Sequence, residues 1–230
     1  MKGKLTPSLV ARAYADPLAW TNLAVDLLPV VAILYFGWGA TPLVALYWLE
    51  NLVIGLFTAA RMTGAGLVQI SRGAVAGAGA FFLVPFFCVH YGGFCWGHGV
   101  FLSAFADADM GLPTPAGLAA WALGTGPYMA WFLGAIFAVN LVVYAVDFVG
   151  RGDIRRVTLA EEMTRPYGRI MTLHVAIILG AVFAFNSDDP LLGVFLLILI
   201  RVVFGIVMSV RRRAKRDAQQ AEGLADAGAE

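Results

Sequence analysis

The chain has 230 residues, of which 60% are hydrophobic and only 13% are Asp, Glu, Lys or Arg. This composition lies far from that of soluble globular domains and predicts a membrane protein. The formal net charge of +1 is small, and the basic residues lie beside apolar runs, so the sequence gives no indication of nucleic-acid binding.

Residues 1–17 precede the first apolar run and are predicted to form a cytoplasmic arm. Leu9, Val10 and Tyr14 recur at helical spacing opposite Arg12. This pattern is typical either of a short amphipathic helix on the inner leaflet or of a disordered arm.

Six apolar runs of about 20 residues follow, and each is long enough to cross roughly 30 Å of hydrocarbon. They are residues 18–38, 41–60, 79–101, 127–148, 167–185 and 190–210. The predicted fold is therefore all-α, a bundle of six transmembrane helices over residues 18–210. Residues 211–230 are predicted to be a basic and then disordered cytoplasmic tail.

The connections between the runs separate basic from acidic residues. Every Lys and Arg except Arg201 lies in the arm, after the second run, between the fourth run and the start of the fifth (Arg169), or in the tail, whereas the opposite connections carry Asp107, Asp109, Asp188 and Asp189. The positive-inside rule then places both termini in the cytoplasm. We expect membrane lipids as the partners of the protein.

The connection after the fourth run carries a sequence signal for a helix of its own. Thr158 is followed three residues later by Glu161, which is the spacing of a capping box. This spacing predicts a short helix over residues 159–164.

Ionisable residues inside the runs are costly in lipid and are expected to face other helices. Glu50 and Arg201 lie near the middle of the second and sixth runs, so we predict an ion pair between them. We also predict an interhelical structural network. It includes Asn51, beside Glu50 on the second run, and a polar stripe on the fourth run that contains Asn140 and Asp147.

The third run carries two of the three histidines and both cysteines. His90, Gly93 and Gly97 share one helix face, and two glycines at this spacing let another helix approach closely. His90 is therefore predicted to contact protein, in a network with Tyr91, on a central and tightly packed helix. The two cysteines are seven residues apart, about 10 Å along one helix, which is too far for a disulfide.

The histidines suggest a metal site, with Glu50 and His90 as the candidate catalytic residues. His90, His98 and His174 together with Glu50 are sufficient ligands for a zinc or copper ion, with the carboxylate as ligand or base.

The spacing of the histidines does not decide the question. His90 and His98 are about 12 Å apart along a helix axis, so a single ion bound by all three histidines would need a broken or steeply tilted helix. Pro85 and the Gly92–Gly93 pair could permit such a helix. A b-type haem held by His90 and His174 is an alternative.

Two segments carry a resemblance to a known family. "LYWLENLVIGLF" at residues 46–57 and "HYGGFCWGHGVF" at residues 90–101 resemble a family of bacterial and archaeal six-span membrane proteins defined by a domain of unknown function. The resemblance implies a six-helix bundle and brings no activity, substrate or cofactor.

Several functions stay open from the sequence. They are a structural network, a membrane-embedded metal-dependent hydrolase, a small-solute or proton transporter, and haem-based redox chemistry. Homo-oligomerisation also stays open.

Overall fold

The protein is described by a computed structural model over residues 7–73, 75–106, 108–168, 170–171, 175, 198–200, 202–203, 205–211, 213–214 and 217, without the side chains of residues 76 and 77. Its helices are α1 (Pro7–Ala13), α2 (Pro17–Phe36), α3 (Ala40–Ser71), α4 (Ala80–Phe105), α5 (Pro115–Gly124), α6 (Met129–Val143) and α7 (Leu159–Thr164). Short 3₁₀ turns cover Val75–Gly79 and Asp153–Arg155, and a π-helical segment, Tyr144–Gly150, continues α6.

In the described part of the chain, four helices are long and apolar enough to cross a membrane. They are α2, α3, α4 and the continuous helix Met129–Gly150. They match the first four apolar runs, so the prediction of apolar helices of membrane-spanning length is confirmed for these four runs. The runs at 167–185 and 190–210 lie largely outside the described residues, as do His174 and Arg201, so the six-span bundle and the Glu50–Arg201 pair stay predictions.

Local capping explains where several helices begin and end. The Asp16 side chain accepts a hydrogen bond from the Leu18 amide at 3.1 Å at the start of α2, and Gly37 ends that helix in the left-handed region at φ +63°. The predicted capping box of Thr158 and Glu161 forms, and α7 covers 159–164 as expected. The arm contains a helix, α1, in agreement with the helical one of the two interpretations of its sequence pattern.

Helix α3 is longer than the second apolar run. Its 32 residues extend about 48 Å, well beyond the thickness of a hydrocarbon core. Arg61, which the sequence places in a connection, therefore lies inside the helix and is buried.

Helix α3 is also the centre of the described bundle, packing against α4, α5, α6 and α7. In its most apolar window 67% of the residues are buried, against 17% for α4. The prediction that the third run is the central helix is therefore wrong for the described part of the chain. Most of α4 faces outward, and one face of it packs on α3.

Candidate functional site

The two segments that carry the family resemblance pack against each other. The indole nitrogen of Trp48 donates a hydrogen bond to the carbonyl oxygen of Cys95 at 2.8 Å. The Tyr91 hydroxyl donates to the carbonyl oxygen of Asn51 at 3.0 Å. All four residues are buried, so these bonds fix the register between α3 and α4.

The glycines that allow this close approach are not the predicted pair. A Cβ on Gly55 would lie 2.5 Å from the Tyr91 ring, and one on Gly99 would lie 2.8 Å from the Trp48 indole. Gly93 and Gly97 have no atom within 4 Å of the position a Cβ would take. Within the described residues nothing packs on these two glycines, although His90 on the same face lies near the Tyr167 ring at a centroid distance of 6.5 Å.

The candidate metal ligands lie apart from one another. His90 is exposed, with its ring stacked on Phe86 at a centroid distance of 5.4 Å, whereas Glu50 is fully buried in α3. The His98 ring is hydrogen-bonded through Nδ1 to the carbonyl oxygen of Phe94, one turn earlier on its own helix, at 2.7 Å.

Among the described residues no three His, Cys, Asp or Glu side chains come close enough to hold a metal ion. The predicted zinc site is therefore not assembled from Glu50, His90 and His98. The fourth ligand, His174, and with it the alternative haem pair, lies outside the described residues.

A buried ion pair joins α3 to α7. Arg61 donates from Nε to Glu162 Oε2 at 2.6 Å and from Nη2 to Oε1 at 3.2 Å, and the two side chains are 7% and 3% exposed. Arg165 Nη1 contacts the same carboxylate at 3.0 and 3.3 Å. The Arg61 guanidinium also lies 4.2 Å from the centre of the Phe148 ring, a cation–π distance.

Arg61 and Arg165 stabilise the ionised form of Glu162. Burial alone would raise the pKa of the Glu162 carboxyl, but the hydrogen bond from Arg61 and the charges of Arg165 and Arg61 outweigh burial and lower that pKa below its ordinary value. Glu162 is therefore an anion at neutral pH, and it ties α7 to the central helix α3.

A second cluster of ion pairs lies at the C-terminal end of the fourth candidate span. Arg151 Nη1 bonds Asp147 Oδ1 at 2.6 Å, and the same guanidinium binds both oxygens of Asp16 at 2.6 and 3.0 Å. The hydrogen bond to Asp16 raises the pKa of Arg151. Asn140, from the same predicted stripe, donates instead to the Ile136 carbonyl of its own helix at 2.8 Å.

A cavity of about 470 Å³ lies between α2, α3, α6, residues 164–168 and the helical residues 205–211. This volume is within the range of small-molecule sites. We call it the arginine cavity, because its lining includes Arg61, Arg165 and Arg211.

The arginine cavity has a basic, exposed rim and a buried floor. Arg165 and Arg211 are exposed at the rim, whereas Asp26 and Thr58 are buried at the floor. Asp26 lies about halfway along α2, so the cavity extends deep between the helices. Further polar lining comes from Asn22, Asn140, Tyr144 and Thr164. An anion entering at the rim would meet guanidinium groups first.

The sequence identified only part of this site. Asn140 belongs to the predicted polar stripe on the fourth run, but the arginines were interpreted only as markers of the cytoplasmic side. The pairing of Arg61 with Glu162 joins residues 101 positions apart, and no local pattern indicates it.

Comparison with known proteins gives a family without a known activity. The family model described as "Family of unknown function (DUF6498)" matches residues 8–222. No curated protein and no solved structure matches the chain.

Proposed function

This chain belongs to the family of unknown function DUF6498, and we propose that it is an integral membrane protein that binds a small anionic ligand in the arginine cavity. One observation carries the proposal. Three arginines line a cavity of about 470 Å³ to which the described residues contribute Asp26 as the one lining carboxylate. Arginine forks bind carboxylate, sulfate and phosphate groups with paired hydrogen bonds.

The buried polar residues that do not line this cavity have a structural role in the proposal. Tyr91 and Asn51 hold α3 against α4, and Asp147 holds the end of the fourth candidate span through Arg151. These bonds support the interpretation of the network as interhelical packing, and we extend it to Glu50, which is buried on the same helix as Asn51.

We further propose six spans with both termini in the cytoplasm of a bacterial or archaeal inner membrane. The segregation of basic from acidic connections supports this orientation. It directs the rim of the arginine cavity toward the cytoplasm, because Arg165 follows the fourth run and Arg211 follows the sixth. The ligand would then be a cytoplasmic solute or a lipid of the inner leaflet.

The orientation is testable by labelling single cysteines in intact cells. We replace Asp109 or Arg156, which are both exposed, by cysteine in a background in which Cys88 and Cys95 are alanine. An impermeant maleimide should label the cysteine at 109 and leave that at 156 unlabelled until the cells are opened. Labelling of 156 alone in intact cells would reverse the proposed orientation.

Anion binding is testable at the rim. Arg211→Gln should weaken binding of sn-glycerol 3-phosphate or succinate by about tenfold or more, because a hydrogen bond to a charged group contributes roughly 1.5–3 kcal/mol. Calorimetric titration of the detergent-solubilised protein measures this change.

The matched control is Arg155→Gln, which removes the same charge from an exposed residue outside the cavity lining. It should leave binding unchanged, and glycerol, a neutral ligand, should not bind. Equal weakening by both substitutions would mean that the anion senses only the overall charge of the protein, which would refute the proposed site.

A further inference from the structure

The arrangement of charge at the rim of the arginine cavity identifies the ligand more closely. Resting on the proposed function above, we infer that the site recognises a phosphomonoester, a group with a charge of about −1.5 to −2 at neutral pH. A single carboxylate group and a phosphodiester each carry one negative charge, so the distinction from these groups depends on how much positive charge the rim leaves unbalanced.

The rim leaves about two positive charges for a ligand. The two exposed arginines, Arg165 and Arg211, supply this charge, whereas Arg61 is buried and paired with Glu162, so that pair adds no net charge. Asp26, the carboxylate that the described residues contribute to the lining, is buried. Among the residues that the structure describes, no carboxylate pairs with Arg211. A dianion at the rim therefore balances the charges of Arg165 and Arg211, whereas a monoanion leaves one of these two charges uncompensated.

The arginines also differ in what they can offer to a ligand. Arg61 donates from Nε and Nη2 to Glu162, so few of its N–H groups are left for a ligand. Arg165 contacts Glu162 through Nη1 alone, and its side chain is 36% exposed. Its remaining N–H groups, and those of Arg211, can form forked bonds to the three terminal oxygens of a phosphomonoester.

The cavity lining also contains apolar surface that suits an organic body attached to the phosphate. This surface comes from Ile54 and Phe57 of α3, Val143 of α6 and Met208. Either a soluble phosphomonoester or the head group of a lipid such as a phosphatidate presents this chemistry. The two sources differ in whether an acyl chain is required for binding.

The experiment compares ligands of matched size and different charge on the full-length protein in detergent. The soluble probes are sn-glycerol 3-phosphate, the monoanion D-glycerate and the diester dimethyl phosphate, each titrated calorimetrically. The lipid probes are dioleoyl phosphatidate and dioleoyl phosphatidylglycerol, scored by native mass spectrometry. Each probe is repeated with Arg211→Gln, with Arg211→Lys, which keeps the charge and removes the fork, and with Arg155→Gln as the control.

We expect the monoester to bind at least tenfold more tightly than its monoanionic match in one of the two probe sets. This preference should disappear in Arg211→Gln and persist in Arg155→Gln. Preference among the soluble probes identifies a soluble ligand, and preference among the lipids alone identifies a lipid. Arg211→Lys should show an intermediate preference.

Two further outcomes separate this inference from the proposed function. Equal affinities for monoester and monoanion, both lost in Arg211→Gln, would overturn the phosphomonoester and leave the anion site intact. No Arg211-dependent binding of any of the five probes would overturn both.

Discussion

Glu162→Gln is expected to destabilise the protein by about 3 to 5 kcal/mol, the usual result of removing one partner from a buried ion pair. The substitution leaves the Arg61 guanidinium, whose side chain is 7% exposed, without its counter-charge. Thermal unfolding in detergent, followed by size-exclusion chromatography of heated samples, measures the loss.

The neighbouring residue, Glu161, provides the control substitution. Glu161→Gln keeps a side chain that can complete the capping box of α7, so it should change stability little. Arg61→Met should cost less than Glu162→Gln, because Arg165 still pairs with the carboxylate. Combining Arg61→Met with Glu162→Gln should recover much of the loss, and simple addition of the two effects would show that the pair does not contribute as a unit.

The same pair predicts an acid dependence. Because the pKa of Glu162 is lowered in the folded protein, its contribution is fully present above the ordinary value of 4.5 and is lost as the pH falls through the lowered value. The unsubstituted protein should therefore lose stability on acidification more steeply than Glu162→Gln over that range.

Local and compositional signals predicted the parts of the fold that they control. The capping box at Thr158 gave α7 within its observed bounds, and apolar length gave the four candidate spans. Both signals act within one segment of the chain, so neither requires knowledge of the packing.

The face that each helix buries could not be predicted in the same way. Lipid is as apolar as a protein core, so the lipid-facing and buried sides of a membrane helix have similar compositions. On α4 two small-residue faces compete, one with Gly93 and Gly97 and one with Cys95 and Gly99. The second face packs on α3, because Trp48 of α3 donates a hydrogen bond to the Cys95 carbonyl and Tyr91 of α4 donates one to the Asn51 carbonyl.

The arginine cavity was beyond prediction for a related reason. Its lining comes from five separated segments, and the position of Arg61 depends on how far α3 continues past the apolar run. A basic residue after an apolar run indicates topology whether or not it also faces a cavity. Only the packed structure shows that Arg61, Arg165 and Arg211 share one space.

The choice between the two glycine faces yields the second large effect. Gly99→Ala should destabilise the protein by about 1 to 3 kcal/mol, the usual cost of overpacking a filled core. The new methyl would lie 2.8 Å from the Trp48 ring and 2.9 Å from Leu118, and Trp48 cannot move aside without losing its bond to Cys95.

Gly97→Ala on the same helix is the matched comparison. No atom lies within 4 Å of the added methyl, so the substitution should be neutral, or stabilising by up to about 1 kcal/mol because alanine favours the helix. Thermal unfolding of both variants in the same detergent measures the difference. Destabilisation by Gly97→Ala equal to that by Gly99→Ala would mean that the outer face of α4 is packed in the purified protein, by a second copy or by a segment beyond the described residues. The predicted contact of His90 with protein would then be correct, because His90 and Gly97 share that face.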